Sequence, residues 1–147
     1  MKNLIIFLCL LSTSVFAIEP KQMIVVVNDE QKERLSGVKA VSNYFNSINS
    51  KFVIYSLDEV NNFEDKFSEG LSSDQEEAKQ QVKDRYEKMG KEKMSQLIVK
   101  AYRAKMLTLQ YRLQKYPAII FDDKYVVYGE FNLNTALNEY LTVKGEE

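Results

Sequence analysis

Three features of the sequence predict an α/β fold organised around a parallel crossover. Met23-Ile24-Val25-Val26-Val27 is an unbroken apolar run rich in β-branched residues, the pattern of a strand covered on both faces. Leu35, Val38, Val41, Phe45 and Ile48 then recur every three or four residues, which places them on one face of a helix. Lys51-Phe52-Val53-Ile54-Tyr55-Ser56-Leu57 reads as a second strand. Strand, helix, strand in this order is a connection that is nearly always right-handed, with the strands parallel.

Ahead of the first strand, Met1-Lys2-Asn3 is followed by the apolar run Leu4-Ile5-Ile6-Phe7-Leu8-Cys9-Leu10-Leu11, then Ser12-Thr13-Ser14 and Val15-Phe16-Ala17. A basic start, a short apolar core and small residues before a cut make a secretory signal peptide, with cleavage expected between Ala17 and Ile18. The run is well short of the roughly 20 apolar residues a spanning helix needs, and no later segment approaches that length, so no membrane insertion is expected after cleavage. A lipid anchor on Cys9 would require a small residue where Leu8 stands. The expected organisation is a leader over residues 1–17 and one domain over residues 18–147, a common size for a single core.

Within that domain, Asn28 and Asp29 end the first strand and can cap a helix running from Glu30 to about Ile48, where turn formers stop it. Residues 58–71 are polar but carry Val60, Phe63, Phe67 and Leu71, which suggests a short helix or an ordered loop on the core. Ser73 and Glu76, three apart, form a predicted capping box. They open a proline-free stretch from Asp74 to about Lys115, interrupted only by Gly90: one long helix, or two helices bent at that glycine. Its mixed charges read as a solvated face. Ala118-Ile119-Ile120-Phe121 and Tyr125-Val126-Val127-Tyr128 flank Asp122-Asp123-Lys124 as a β-hairpin. Asn132 then caps a final helix with Leu133, Ala136, Leu137, Tyr140 and Leu141 on one face. The complete order is β-α-β, a long central helix, then β-β-α.

Composition narrows the chemistry. Loss of the leader takes Lys2 with it and moves the net charge from −1 to −2. That balance, with no basic block evident along the chain, argues against nucleic acid, because phosphate binding needs a concentrated basic surface. The chain has no histidine, and its one cysteine, Cys9, lies in the leader, so thiol exchange and histidine-dependent catalysis are excluded for the domain. No phosphate loop or metal-ligand spacing is present, and no cofactor is expected. Asp122 and Asp123 read as turn formers tolerant of left-handed backbone; Asp29-Glu30 and Glu76-Glu77 read as first-turn carboxylates opposing the helix dipole. Tyr116, Tyr125 and Tyr128 gather at the hairpin, where rings with a wet hydroxyl suit either a core edge or an interface.

The run Tyr116-Pro117-Ala118-Ile119-Ile120-Phe121-Asp122, followed by Tyr125-Val126-Val127-Tyr128-Gly129, resembles a signature of small exported proteins of integrating conjugative elements. Leu71-Ser72-Ser73-Asp74 through Ala78 resembles that family's middle segment. The resemblance implies a thioredoxin-like β-α-β-α-β-β-α sandwich with a long central helix and a cis Tyr116–Pro117 bond. It also implies a periplasmic, non-redox accessory protein that binds a component of a conjugation apparatus of the type IV secretion kind. Asp123 stands where the family usually has glycine, and Glu130-Phe131-Asn132 where it tends to have Thr-Asp. The expected partner-binding residues are Tyr116, Pro117 and Tyr128, where an extended peptide can add as a strand. The oligomeric state is left open. The competing expectations are a free-standing exported chaperone and a carboxylate-dependent hydrolase.

Overall fold

The computed structural model describes residues 19–146; the expected leader, Cys9 and the cut between Ala17 and Ile18 lie outside the described residues. The element order is β1 (Gln22–Val27), α1 (Asp29–Arg34), α2 (Val38–Ser47), β2 (Lys51–Ser56), α3 (Glu59–Ser68), α4 (Gln75–Met89), α5 (Lys91–Tyr111), β3 (Ala118–Phe121), β4 (Tyr125–Tyr128) and α6 (Leu133–Gly145). The four strands form one mixed sheet in the order β2-β1-β3-β4. β1 and β2 run parallel, with Met23 opposite Phe52. β3 is antiparallel to β1, and β4 to β3. The mixed α/β fold expected from the sequence is therefore present.

The alternation of β1 divides the core in two. Met23, Val25 and Val27, with Ile119 and Phe121, face Val41 and Phe45 of α2 and Leu133, Ala136, Leu137 and Tyr140 of α6. Ile24 and Val26, with Ala118 and Ile120, face Ala104 and Leu107 of α5. Successive side chains of a strand point to opposite sides, so a sheet with helices on both faces must be apolar at every position. Each fully buried aliphatic side chain of β1 contributes about 1.5–3 kcal/mol.

Two local expectations are corrected. The helix expected from Glu30 to Ile48 is two helices, because Leu35 is extended (φ −63°, ψ 134°) and Gly37 is left-handed (φ 77°). Between them Ser36 leaves the helix to pair with Asn132: its N–H donates to the Phe131 carbonyl at 2.9 Å, and its own carbonyl accepts from Leu133 N at 3.0 Å. Backbone groups satisfied in this way need no helix, so the break costs no unpaired polar group. The cap of α4 is also not the expected Ser73 and Glu76 pair. Asp74 caps it, accepting from Glu76 N and Glu77 N at 3.1 and 3.0 Å.

Elsewhere the local reading holds. Residues 59–68 are a helix; of the two alternatives for the long segment, the structure has two helices meeting at Gly90 (φ 84°, ψ 146°) in place of one long central helix. Asn28 caps α1 in a capping box with Gln31. Asp122 and Asp123 are both left-handed, at φ 49° and 61°, and the Tyr116–Pro117 bond is cis.

Candidate functional site

The parallel β1–β2 pair and the antiparallel β3 bring four chain segments to one end of the sheet. There β1 and β2 finish at Val27 and Ser56, β3 starts after Pro117, and β4 finishes at Tyr128, directly opposite Ala118. Tyr116, distant in sequence from α1, is thereby set beside its first turn, with Pro117 and Tyr128 at the same end of the sheet. The Gln31 side chain closes the gap, donating from Nε2 to the Tyr116 carbonyl at 3.1 Å.

The three expected partner-binding residues differ in what they offer. Pro117 is buried, and its carbonyl accepts from Gly129 N at 2.9 Å. The Tyr116 ring is half-buried against the core beneath α5, and its hydroxyl shares a 2.8 Å hydrogen bond with Thr108 Oγ1. Only Tyr128 presents an open ring, at 41% exposure. The backbone N–H of Tyr116 makes no hydrogen bond among the described residues. The Tyr116 carbonyl keeps a second lone pair beyond the one Gln31 occupies. This end of the sheet thus offers a backbone donor and acceptor beside an exposed aromatic ring, the components of strand addition.

Across the first turn of α1 runs a closed set of polar contacts that the sequence did not reveal. Asp29 N donates to Asp58 Oδ2 at 2.8 Å, Asp58 N donates to Ser56 Oγ at 3.1 Å, and the Ser56 hydroxyl donates to Asp29 Oδ1 at 2.6 Å. Asn62 Nδ2 adds a 3.2 Å bond to Asp29 Oδ2. The Ser56 hydroxyl foremost, then the Asn62 amide, hold the Asp29 carboxyl below its usual pKa, against an opposing effect of burial and with a lesser contribution from the charge of Lys32. A carboxylate held anionic with both oxygens engaged is a weak proton acceptor at neutral pH. Asp29 therefore ties α1 to β2 and α3.

At the opposite end, Asp122 does more than form the expected turn. Its Oδ1 accepts from Lys21 N and Gln22 N, and its Oδ2 from the Tyr140 hydroxyl, so one carboxylate joins β1, the hairpin and α6. Asp123 is engaged by the Tyr111 hydroxyl. Burial first, then this contact, pushes the Tyr111 pKa up to about 12. These carboxylates have structural employment.

One surface feature corrects the sequence reading. The absence of a basic block holds for the chain as a whole but not for α5, which carries Lys91, Lys93, Lys100, Arg103 and Lys105 against a single carboxylate, Glu92. The signal lay in the sequence as a local excess hidden by a near-neutral total.

A family model described as a protein of unknown function, DUF1525, matches residues 38–145, from the start of α2 to the end of α6. No curated protein and no solved structure matches the chain.

Proposed function

The chain belongs to the DUF1525 family, and from that premise we propose that it is a non-redox, thioredoxin-like protein-binding accessory of a conjugation apparatus of the type IV secretion kind, exported to the periplasm by a cleaved leader. The sheet order β2-β1-β3-β4, with only the β1–β2 pair parallel, supports the thioredoxin-like reading. Residues 116–122 and 125–129, which carry the resemblance to proteins of integrating conjugative elements, fall inside the family match.

The observation that carries protein binding is the end of the sheet itself. Tyr116, whose N–H makes no hydrogen bond among the described residues, and the exposed Tyr128 ring lie at the same end of the sheet, and the described residues contain no thiol and no imidazole. An extended segment of a partner can bond the Tyr116 backbone and lay a side chain on Tyr128. Aromatic residues of this kind are favoured in interface centres.

The test is genetic. Deletion of the gene is expected to lower conjugative transfer from donor cells without slowing their growth. Complementation with Tyr128→Ala, an exposed position, is expected to restore a folded protein but not transfer. Transfer unaltered by the deletion across several donor and recipient pairs sinks the conjugation assignment. Full complementation by Tyr128→Ala sinks the site.

A further inference from the structure

We infer that the outer face of α5 docks an acidic amphipathic helix of a partner protein. A helix packed on a sheet needs one apolar stripe, and α5 has that stripe in Met94, Ala101, Ala104 and Leu107, all buried. It also has a second one. Val99, Met106 and Leu109, spaced i, i+7 and i+10, lie on the opposite side and are 53%, 49% and 79% exposed. On a helix whose outer face only meets water, such positions are typically polar, and it is their contiguity along one stripe that marks a contact surface.

The charges beside the stripe name the chemistry of what covers it. Lys100 and Arg103 flank it on one side and Lys105 on the other, in a helix with one acidic residue and a chain whose net charge is −1. Anchors at this spacing are those a docked helix engages, and basic flanks select acidic flanks on the partner. Next to the stripe, α5 and Tyr55 of the edge strand β2 line a shallow, open groove of about 460 Å³, with Val99 and Arg103 in its wall. A concave groove accepts a projecting side chain of a helix, which a flat bilayer does not supply. Nucleic acid would use the cations but leave the three aliphatic side chains without a role.

This inference rests on the protein-binding reading above but uses a different surface. The probe is a synthetic helical peptide with leucine on one face and glutamate elsewhere, titrated into the purified exported protein and followed by fluorescence anisotropy. Saturable binding is expected, weakened by added salt. Met106→Glu and Leu109→Glu should each weaken it about tenfold or more, a loss of roughly 1.4 kcal/mol. Tyr128→Ala should leave it unchanged. Because the substituted side chains are exposed, unaltered circular dichroism separates loss of binding from loss of fold. Equal binding of a scrambled peptide of the same composition overturns the inference. It is likewise overturned if Leu109→Glu instead abolishes binding to phosphatidylglycerol vesicles, binding to duplex DNA, or self-association in sedimentation equilibrium. Loss of peptide binding in Tyr128→Ala, with Leu109→Glu unaffected, moves docking to the end of the sheet and leaves the general reading standing without this one.

Discussion

Tyr140 of α6 donates its hydroxyl to Asp122 Oδ2 at 2.7 Å, while its ring stacks on Phe121 with centroids 4.5 Å apart. The other oxygen of Asp122 accepts from Lys21 N at 2.8 Å and Gln22 N at 2.9 Å. One side chain at the hairpin tip thus closes a loop of about a hundred residues and fixes the last helix against the first strand.

Removing its partners should cost stability in a definite order. Tyr140→Phe keeps the stacked ring and deletes one hydrogen bond, an expected loss of about 1 kcal/mol. Asp122→Ala deletes all three bonds and places alanine at a left-handed φ of 49°, an expected loss of about 2–3 kcal/mol. Urea unfolding measures both, and equal losses would mean that the Lys21 and Gln22 bonds contribute nothing.

Acid stability should depend on Ser56. The Asp29 pKa is lowered in the folded protein, with the Ser56 hydroxyl as the largest cause. A depressed carboxyl pKa gives stability that is present above the unfolded value, about 3.9, and is lost as pH falls through the folded one. In Ser56→Ala the Asp29 carboxyl should titrate at higher pH by NMR, and the decline of stability below about pH 4 should flatten. An unmoved Asp29 titration would show that the hydroxyl does not hold the charge.

At the alkaline end Tyr111 is expected to ionise late. Its pKa is raised to about 12 by burial and by the contact with Asp123. A raised pKa gives stability that is full below the unfolded value of about 10 and is lost as pH rises through the folded value. Asp123→Asn should shift one tyrosinate absorbance step downward, and Tyr111→Phe should remove that step. A titration of Asp123→Asn identical to wild type would leave burial as the sole cause.

Gly37 should resist substitution. Its φ is 77°, and a Cβ there would lie 2.5 Å from Asn134 Nδ2. Gly37→Ala combines left-handed strain with that clash, and is expected to cost more than about 1 kcal/mol. Trimming the neighbour in Gly37→Ala/Asn134→Ala should recover the steric part only. Thermal denaturation that places Gly37→Ala level with wild type would contradict the geometry.

By itself the sequence determined the elements whose patterns are local. The apolar run of β1, the helical spacing of Val41 and Phe45, the turn at Asp122 and Asp123, and the Asn132 cap are each carried by neighbours within a few residues. Gly90 was legible only as a place where the long segment could bend, and the structure decides that it separates two helices. Tyr116, Pro117 and Tyr128 were also legible as a cluster, since two strands joined by a tight turn must lie side by side. Tertiary structure decided what depends on partners distant along the chain. Ser36 leaves its helix because its hydrogen bonds are made to Phe131 and Leu133. Asp122 becomes a fastener only when β1 arrives beside it, and Asp29 only when β2 delivers Ser56. The same holds for α5: its outer side read as a solvated face, and only packing shows that Met94, Ala101, Ala104 and Leu107 are the buried residues while Val99, Met106 and Leu109 stay exposed.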